Sequence, residues 1–222
     1  MRNVRIWFKK TGGAKYISHL DLVRLFTRCI RRSKVPAWYT EGFNPHLHMV
    51  FAQPLPIGIE ALHEAMDIKI EDDLYSNNRI AENLSAVMPE NIAVTDVSDP
   101  VNSFADISGA EYNIRLGFTE EISPKDLSEF FNGNITVEKA AKKKKGRRGA
   151  QVPEFKEIEV DCKLVSFSSD KSSADMTVIL PAGSRLNINP PLVISAAEKR
   201  FGKLETLSIT RNLCLVGENE LK

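Results

Sequence analysis

Residues 1–40, MRNVRIWFKKTGGAKYISHLDLVRLFTRCIRRSKVPAWYT, decide the fold. Val4, Ile6 and Phe8 alternate with Arg5 and Trp7, the period of two that a half-buried strand requires, and Thr11-Gly12-Gly13 ends the run. Ser18 and Asp21 then match the S-x-x-[DE] pattern that caps a helix start. Leu22, Leu25, Phe26, Cys29 and Ile30 recur at helical spacing until Val35-Pro36 stops them. Outward from this strand–helix pair, residues 47–52 and 65–70 predict two strands separated by a 54–58 loop. Residues 77–88 predict a helix with Ile80, Leu84, Val87 and Met88 on one side, and residues 92–97 a last strand. The order is βαββαβ.

The second half gives the same order. Residues 112–118 read as a strand, Ser123-Pro124 opens a short helix through Leu127, Phe130 and Phe131, and residues 134–138 lead into a basic run. Residues 154–167 and 176–180 read as strands. Asn189-Pro190-Pro191 starts a helix through Val193, Ala196, Ala197 and Phe201, and residues 204–216 close the chain. The sequence therefore predicts an α+β protein of two ferredoxin-like (βαββαβ) domains in tandem. Residues 1–104 carry a basic first helix, residues 105–222 a Lys/Arg-rich hairpin loop, and a hinge is expected near residues 99–109.

Composition excludes several classes. The 222 residues are 42% hydrophobic and 27% charged, which suits a globular core and not a disordered or collagenous chain. Charges interrupt every apolar run before the ~18 residues of a membrane span, and residues 1–10 lack the apolar core of a signal peptide. Cys29, Cys162 and Cys214 are odd in number and far apart, with no CxxC pair, so reduced thiols and a cytoplasmic location are expected, with no membrane partner.

The net charge of +1 conceals opposed blocks. Residues 1–40 hold ten Lys/Arg and one acid, whereas residues 41–110 hold two Lys/Arg and twelve acids. Arg24, Arg28 and Arg32 stand at i, i+4 and i+8 on the first helix with Arg31 beside them. Like charges at that spacing repel by a few tenths of a kcal/mol per pair, so the row points to an anionic ligand such as RNA. The alternative is a solvated face answered by the acids of 41–110. Lys9, Lys10 and Lys15 flank the loop before the helix and extend the expected phosphate-binding surface.

Lys142, Lys143, Lys144, Lys145, Arg147 and Arg148 form a second basic element, expected to be either an arm that orders on RNA or a solvated hairpin tip. The loop Thr40-Glu41-Gly42-Phe43-Asn44-Pro45-His46 is rich in turn residues. Gly42, Phe43, Asn44 and His46 are its candidate RNA contacts, with Phe43 stacking on a base; the alternative is a tight turn with Phe43 in the core. His46-x-His48 would put two imidazoles on one strand face, but no third ligand has suitable spacing, so no metal site is expected. Imidazole titrates near neutrality, which makes His19 and His46 the candidates for acid–base RNA cleavage. No nucleophile, carboxylate pair or phosphate-cradling loop accompanies them. The expectation is a non-enzyme with no cofactor and no catalytic residue.

Tyr16-Ile17-Ser18-His19-Leu20-Asp21-Leu22-Val23-Arg24, then Glu41-Gly42-Phe43-Asn44-Pro45-His46, then Phe51-Ala52-Gln53-Pro54-Leu55-Pro56-Ile57-Gly58 closely resemble the radical-SAM-linked protein family. Similarity continues through the Lys-rich loop, Pro181-Ala182-Gly183, Asn189-Pro190 and Ile209-Thr210-Arg211. The resemblance implies a domain fused to, or encoded beside, a radical SAM protein, in a family whose biochemical function is not settled. This chain lacks the three-cysteine cluster motif, so the resemblance implies the partner and not the radical enzyme. The Ser18-His19-Leu20-Asp21 stretch also resembles, more weakly, the CRISPR repeat-processing endoribonucleases, which implies RNA affinity across two ferredoxin-like domains. Together these readings predict a non-catalytic RNA-binding accessory protein presenting tRNA or rRNA to a radical SAM enzyme. The alternatives are a metal-independent endoribonuclease and a protein-interaction module of the radical SAM partner.

Overall fold

The computed structural model describes residues 1–140 and 155–222. Among them the fold is mixed α+β, with ten strands in antiparallel and parallel pairings and four α-helices. The chain divides into two compact units. Unit 1 holds Met1–Glu111, Ala182–Arg185 and Ile209–Lys222, and unit 2 holds Tyr112–Pro181 and Leu186–Ser208.

Unit 1 begins with β1 (Arg2–Lys10) and α1 (His19–Ser33), followed by β2 (Met49–Phe51), β3 (Glu60–Ile70), α2 (Asn77–Ser85) and β4 (Ile92–Ser98). β1 runs antiparallel to both β3 and β4, and β2 runs antiparallel to the far part of β3, so the spatial order is β4-β1-β3-β2. The core joins Val4, Ile6 and Phe8 of β1 to Leu22, Phe26 and Ile30 of α1 and to Ile80 and Leu84 of α2. α1 starts where the sequence says it must. The Ser18 hydroxyl accepts the Asp21 amide at 3.2 Å and donates to the Asp21 carboxylate at 2.7 Å, and Lys34 ends the helix in the left-handed region at φ 57°.

In the second half come β5 (Gly109–Phe118), α3 (Pro124–Phe130), β6 (Gly133–Ala140), β7 (Phe155–Ser169), β8 (Ser173–Pro181), α4 (Pro190–Phe201), β9 (Leu204–Val216) and β10 (Asn219–Glu220). β5 and β9 contribute residues to both units. The strand order reaching into unit 2 is β9-β5-β8-β7-β6. Its core holds Ile114, Leu116, Phe131, Val160, Val178 and Val193. In unit 1, Gly183 sits at φ +121°, where a Cβ would stand 2.2 Å from the Ile107 carbonyl oxygen; the Pro181-Ala182-Gly183 turn requires glycine there.

The structure corrects the sequence reading in three places. Residues 134–138 are not a lead-in but part of β6, which pairs along its length with β7 and buries Ile135 and Val137. β3 begins at Glu60, five residues before its predicted start, because Glu64 is buried by a partner distant in sequence. α2 stops at Ser85, since Pro89 disfavours a helical residue before it, and Val87 and Met88 leave the helix.

Candidate functional site

The exposed stripe of α1 carries Arg24, Arg28, Arg31 and Arg32. Among the described residues Arg24 pairs only with Asp21, at 3.0 Å one turn earlier. Arg31 donates from Nε to the Tyr39 hydroxyl at 3.2 Å and lies 5.5 Å from that ring's centre. Arg28 and Arg32 make no ion pair or hydrogen bond among the described residues. The acids of 41–110 that form ion pairs there are Glu60, Glu64, Asp67, Asp73 and Asp99. Their partners are Lys15, Arg211, Arg5, the Met1 amine and Arg2. Five of the twelve acids thus answer other cations, none of the twelve pairs with the arginine row, and Arg28 and Arg32 are left without an ion-pair partner among the described residues.

Of the three lysines assigned to the same surface, Lys10 is excluded. It is 1% exposed and donates to the Ile17 and Lys15 carbonyls at 3.0 and 3.5 Å, and burial lowers its pKa. Close to it, Glu64 accepts Arg211 Nε and Nη2 at 2.7 and 2.5 Å, and Arg211 also donates to the Gln53 carbonyl at 2.8 Å. This buried cluster ties together the segments around residues 15–19, 51–58 and 209–211, further joined by the Gly58 amide on the Lys15 carbonyl at 2.9 Å. Lys15 pairs with Glu60 at 3.6 Å.

Residues 40–46 close as a loop. Tyr39 bridges Leu47, the Thr40 amide donates to the His46 carbonyl at 2.8 Å, and the His46 amide donates to the Thr40 hydroxyl at 3.1 Å. Gly42 turns at φ +119° with open space around it. Phe43 is 111% exposed, so it is not a core residue, and Asn44 and His46 are exposed with it. Through Tyr39 the base of this loop is held to Arg31.

A groove of about 650 Å³ runs along α1. Arg24, Leu25, Arg28, Cys29 and Arg32 line it from α1, and Val87, Met88 and Pro89 line it as a second wall from the segment after α2. The sequence reading placed Val87 and Met88 on a helix face and missed this wall. Pro89, directly after the periodic run, was the signal that they leave the helix.

His19 packs edge-on to Phe51 at 5.1 Å, and burial followed by the charge of Lys10 lowers its pKa. His46 Nδ1 lies 2.9 Å from the Thr40 hydroxyl and 3.3 Å from the Asn44 carbonyl. No hydrogen bond or ring contact joins the two among the described residues. His48 sits beside Trp38, with ring centres 5.7 Å apart. No group of three or more His, Cys, Asp and Glu side chains gathers as a metal site among the described residues. Cys29, Cys162 and Cys214 are buried free thiols; burial raises Cys29 and pushes Cys162 and Cys214 up to about 12 and about 11. Lys142, Lys143, Lys144, Lys145, Arg147 and Arg148 lie outside the described residues. No helix among the described residues is long and apolar enough to cross a membrane.

The profile of the family described as "Uncharacterized protein conserved in bacteria (DUF2344)" matches residues 3–190. No curated protein matches the chain. Among solved structures, the chain is similar to one in the crystal structure of a Cbf5-Nop10-Gar1 complex, with a TM-score of 0.53 and 9% identity over 95% of this chain and 48% of that one. A chain in an H/ACA RNP bound to a substrate RNA containing 2'-deoxyuridine gives 0.48 at 9% identity, over 94% and 46%. The chain thus spans about half the length of the structures it matches, and at this identity the likeness is one of fold.

Proposed function

The chain belongs to the DUF2344 family of bacterial proteins, and we propose that it is a non-catalytic RNA-binding protein whose contact surface is the outer stripe of α1 and the Phe43 loop. One observation carries this reading: four arginines share a helix stripe that no acid of residues 41–110 pairs with. A row of like charges is unfavourable by itself and becomes favourable when a polyanion releases its counterions to it. The exposed aromatic ring at the tip of a loop anchored to the same helix adds a stacking platform that any base can use.

Lys142 to Lys145, Arg147 and Arg148 would extend the phosphate contacts, and the tRNA or rRNA so held would be presented to a radical SAM modification enzyme. That partner rests on the sequence resemblance alone. We read the two halves, 1–104 and 105–222, as ferredoxin-like domains. The order β4-β1-β3-β2 in the first and β9-β5-β8-β7 in the second support this, β6 being an added edge strand.

Replacing Arg24, Arg28, Arg31 and Arg32 together by Glu tests the proposal, with tRNA as the probe and fluorescence anisotropy as the readout. The variant keeps its melting temperature within a few degrees and loses binding by about 10³ or more in affinity at low salt. Unchanged affinity would overturn the proposal.

A further inference from the structure

We infer that the groove along α1 seats one unpaired nucleobase, so that the ligand of this surface is single-stranded RNA and not a duplex; this rests on the RNA reading above. The groove is two-natured in cross-section. Arg24, Arg28 and Arg32 bring charge to its lining, while Leu25, Val87 and Met88 bring hydrocarbon and a thioether. Its volume of about 650 Å³ falls within the roughly 300–1,000 Å³ of sites that hold small ligands.

The charge argument selects the occupant. The one acid among the lining residues, Asp21, accepts the Ser18 hydroxyl and Arg24, so its charge is answered by Arg24 and the two arginines farther along the helix are left for a phosphate. Arg28 and Arg32 have no protein partner among the described residues. A nucleotide has the matching halves, an anionic phosphate joined to a flat body with apolar faces, and planar guanidinium groups suit both. In a duplex the bases are sealed in the stack, and extruding one costs its pairing and stacking. An unpaired nucleotide enters without that cost. Phe43, exposed on the loop that Tyr39 ties to Arg31, offers a second base of the same strand a stacking surface.

The test uses the full chain and three probes of equal length: a short unstructured oligoribonucleotide, the same strand annealed to its complement, and the same strand carrying abasic sites. Two variants fill the groove from its two lining segments, Leu25→Trp on α1 and Met88→Trp after α2, each checked for an unchanged melting temperature so that either can serve if the other fails to fold. The wild type binds the intact single strand about tenfold or more tighter than the duplex or the abasic strand. Both variants lose that preference while retaining the salt-dependent remainder of binding.

Equal affinity of the wild type for all three probes, or full preference retained in both folded variants, would overturn the groove assignment and leave the RNA reading standing. Absence of binding to any probe at low salt would remove the RNA reading and this inference with it. Displacement of the single strand by poly-glutamate from the wild type, but not from the Trp variants, would assign the groove to an acidic peptide instead.

Discussion

Phe43 and Glu64 mark the two ends of what a single residue does in this protein. Phe43 touches solvent on every side, so its removal costs the fold nothing and its value lies in what it meets. Phe43→Ala leaves the melting temperature unchanged and weakens binding of single-stranded RNA by about 1–3 kcal/mol, the worth of one stacked base. An anisotropy titration of the two proteins checks this, and equal affinities would remove the ring from the interface. Glu64 is the reverse case. It is the buried counter-charge for Arg211 and lies close enough to Lys10 to raise that lysine's pKa against burial. Glu64→Gln strands two buried cations and destabilises the fold by about 3–5 kcal/mol, measured by urea unfolding; a loss under about 1 kcal/mol would mean the cluster is not held by charge.

At the scale of elements, α1 was legible because its cap, its apolar period and its stop are all local, and β1 because its alternation is. β6 was missed because its pairing with β7 spans the basic run between them. The start of β3 was missed because Glu64 reads as polar until Arg211, 147 positions later, is brought to it. The arginine stripe was visible as spacing. That no acid of 41–110 pairs with it was not, since the paired acids of that block had to be traced to Arg2, Arg5, Lys15 and Arg211. The groove was hidden for a similar reason, because its second wall begins where a helix ends early.

The first turn of α1 carries a pH dependence that follows from packing. Burial, then the charge of Lys10, holds His19 below its ordinary value of 6.5. Above that value folded and unfolded chains both carry neutral imidazole, and the full stability is present. As pH falls below it, the unfolded chain takes up a proton that the folded chain refuses, so stability declines until the folded value is passed. His19→Gln flattens this part of the profile, read as melting temperature against pH between the two forms. A profile identical in the variant would place the dependence elsewhere.

For the molecule as a whole, a net charge of +1 says little about partners. Unit 1 holds both opposed blocks, and internal pairing takes five of the twelve acids of the second while Arg28 and Arg32 of α1 stay without an ion-pair partner among the described residues. Net charge would predict indifference to polyanions; the arrangement predicts a local, salt-sensitive grip. The RNA affinity of the wild type and of Arg28→Ala/Arg32→Ala, measured across a salt series with an unstructured single strand, tests this most directly. The account predicts a linear fall of log affinity with log salt, and a slope shallower by about 1.4 in the variant, from roughly 0.7 for each phosphate that an arginine neutralises. Equal slopes for the two proteins, or no binding by the wild type at low salt, would contradict it.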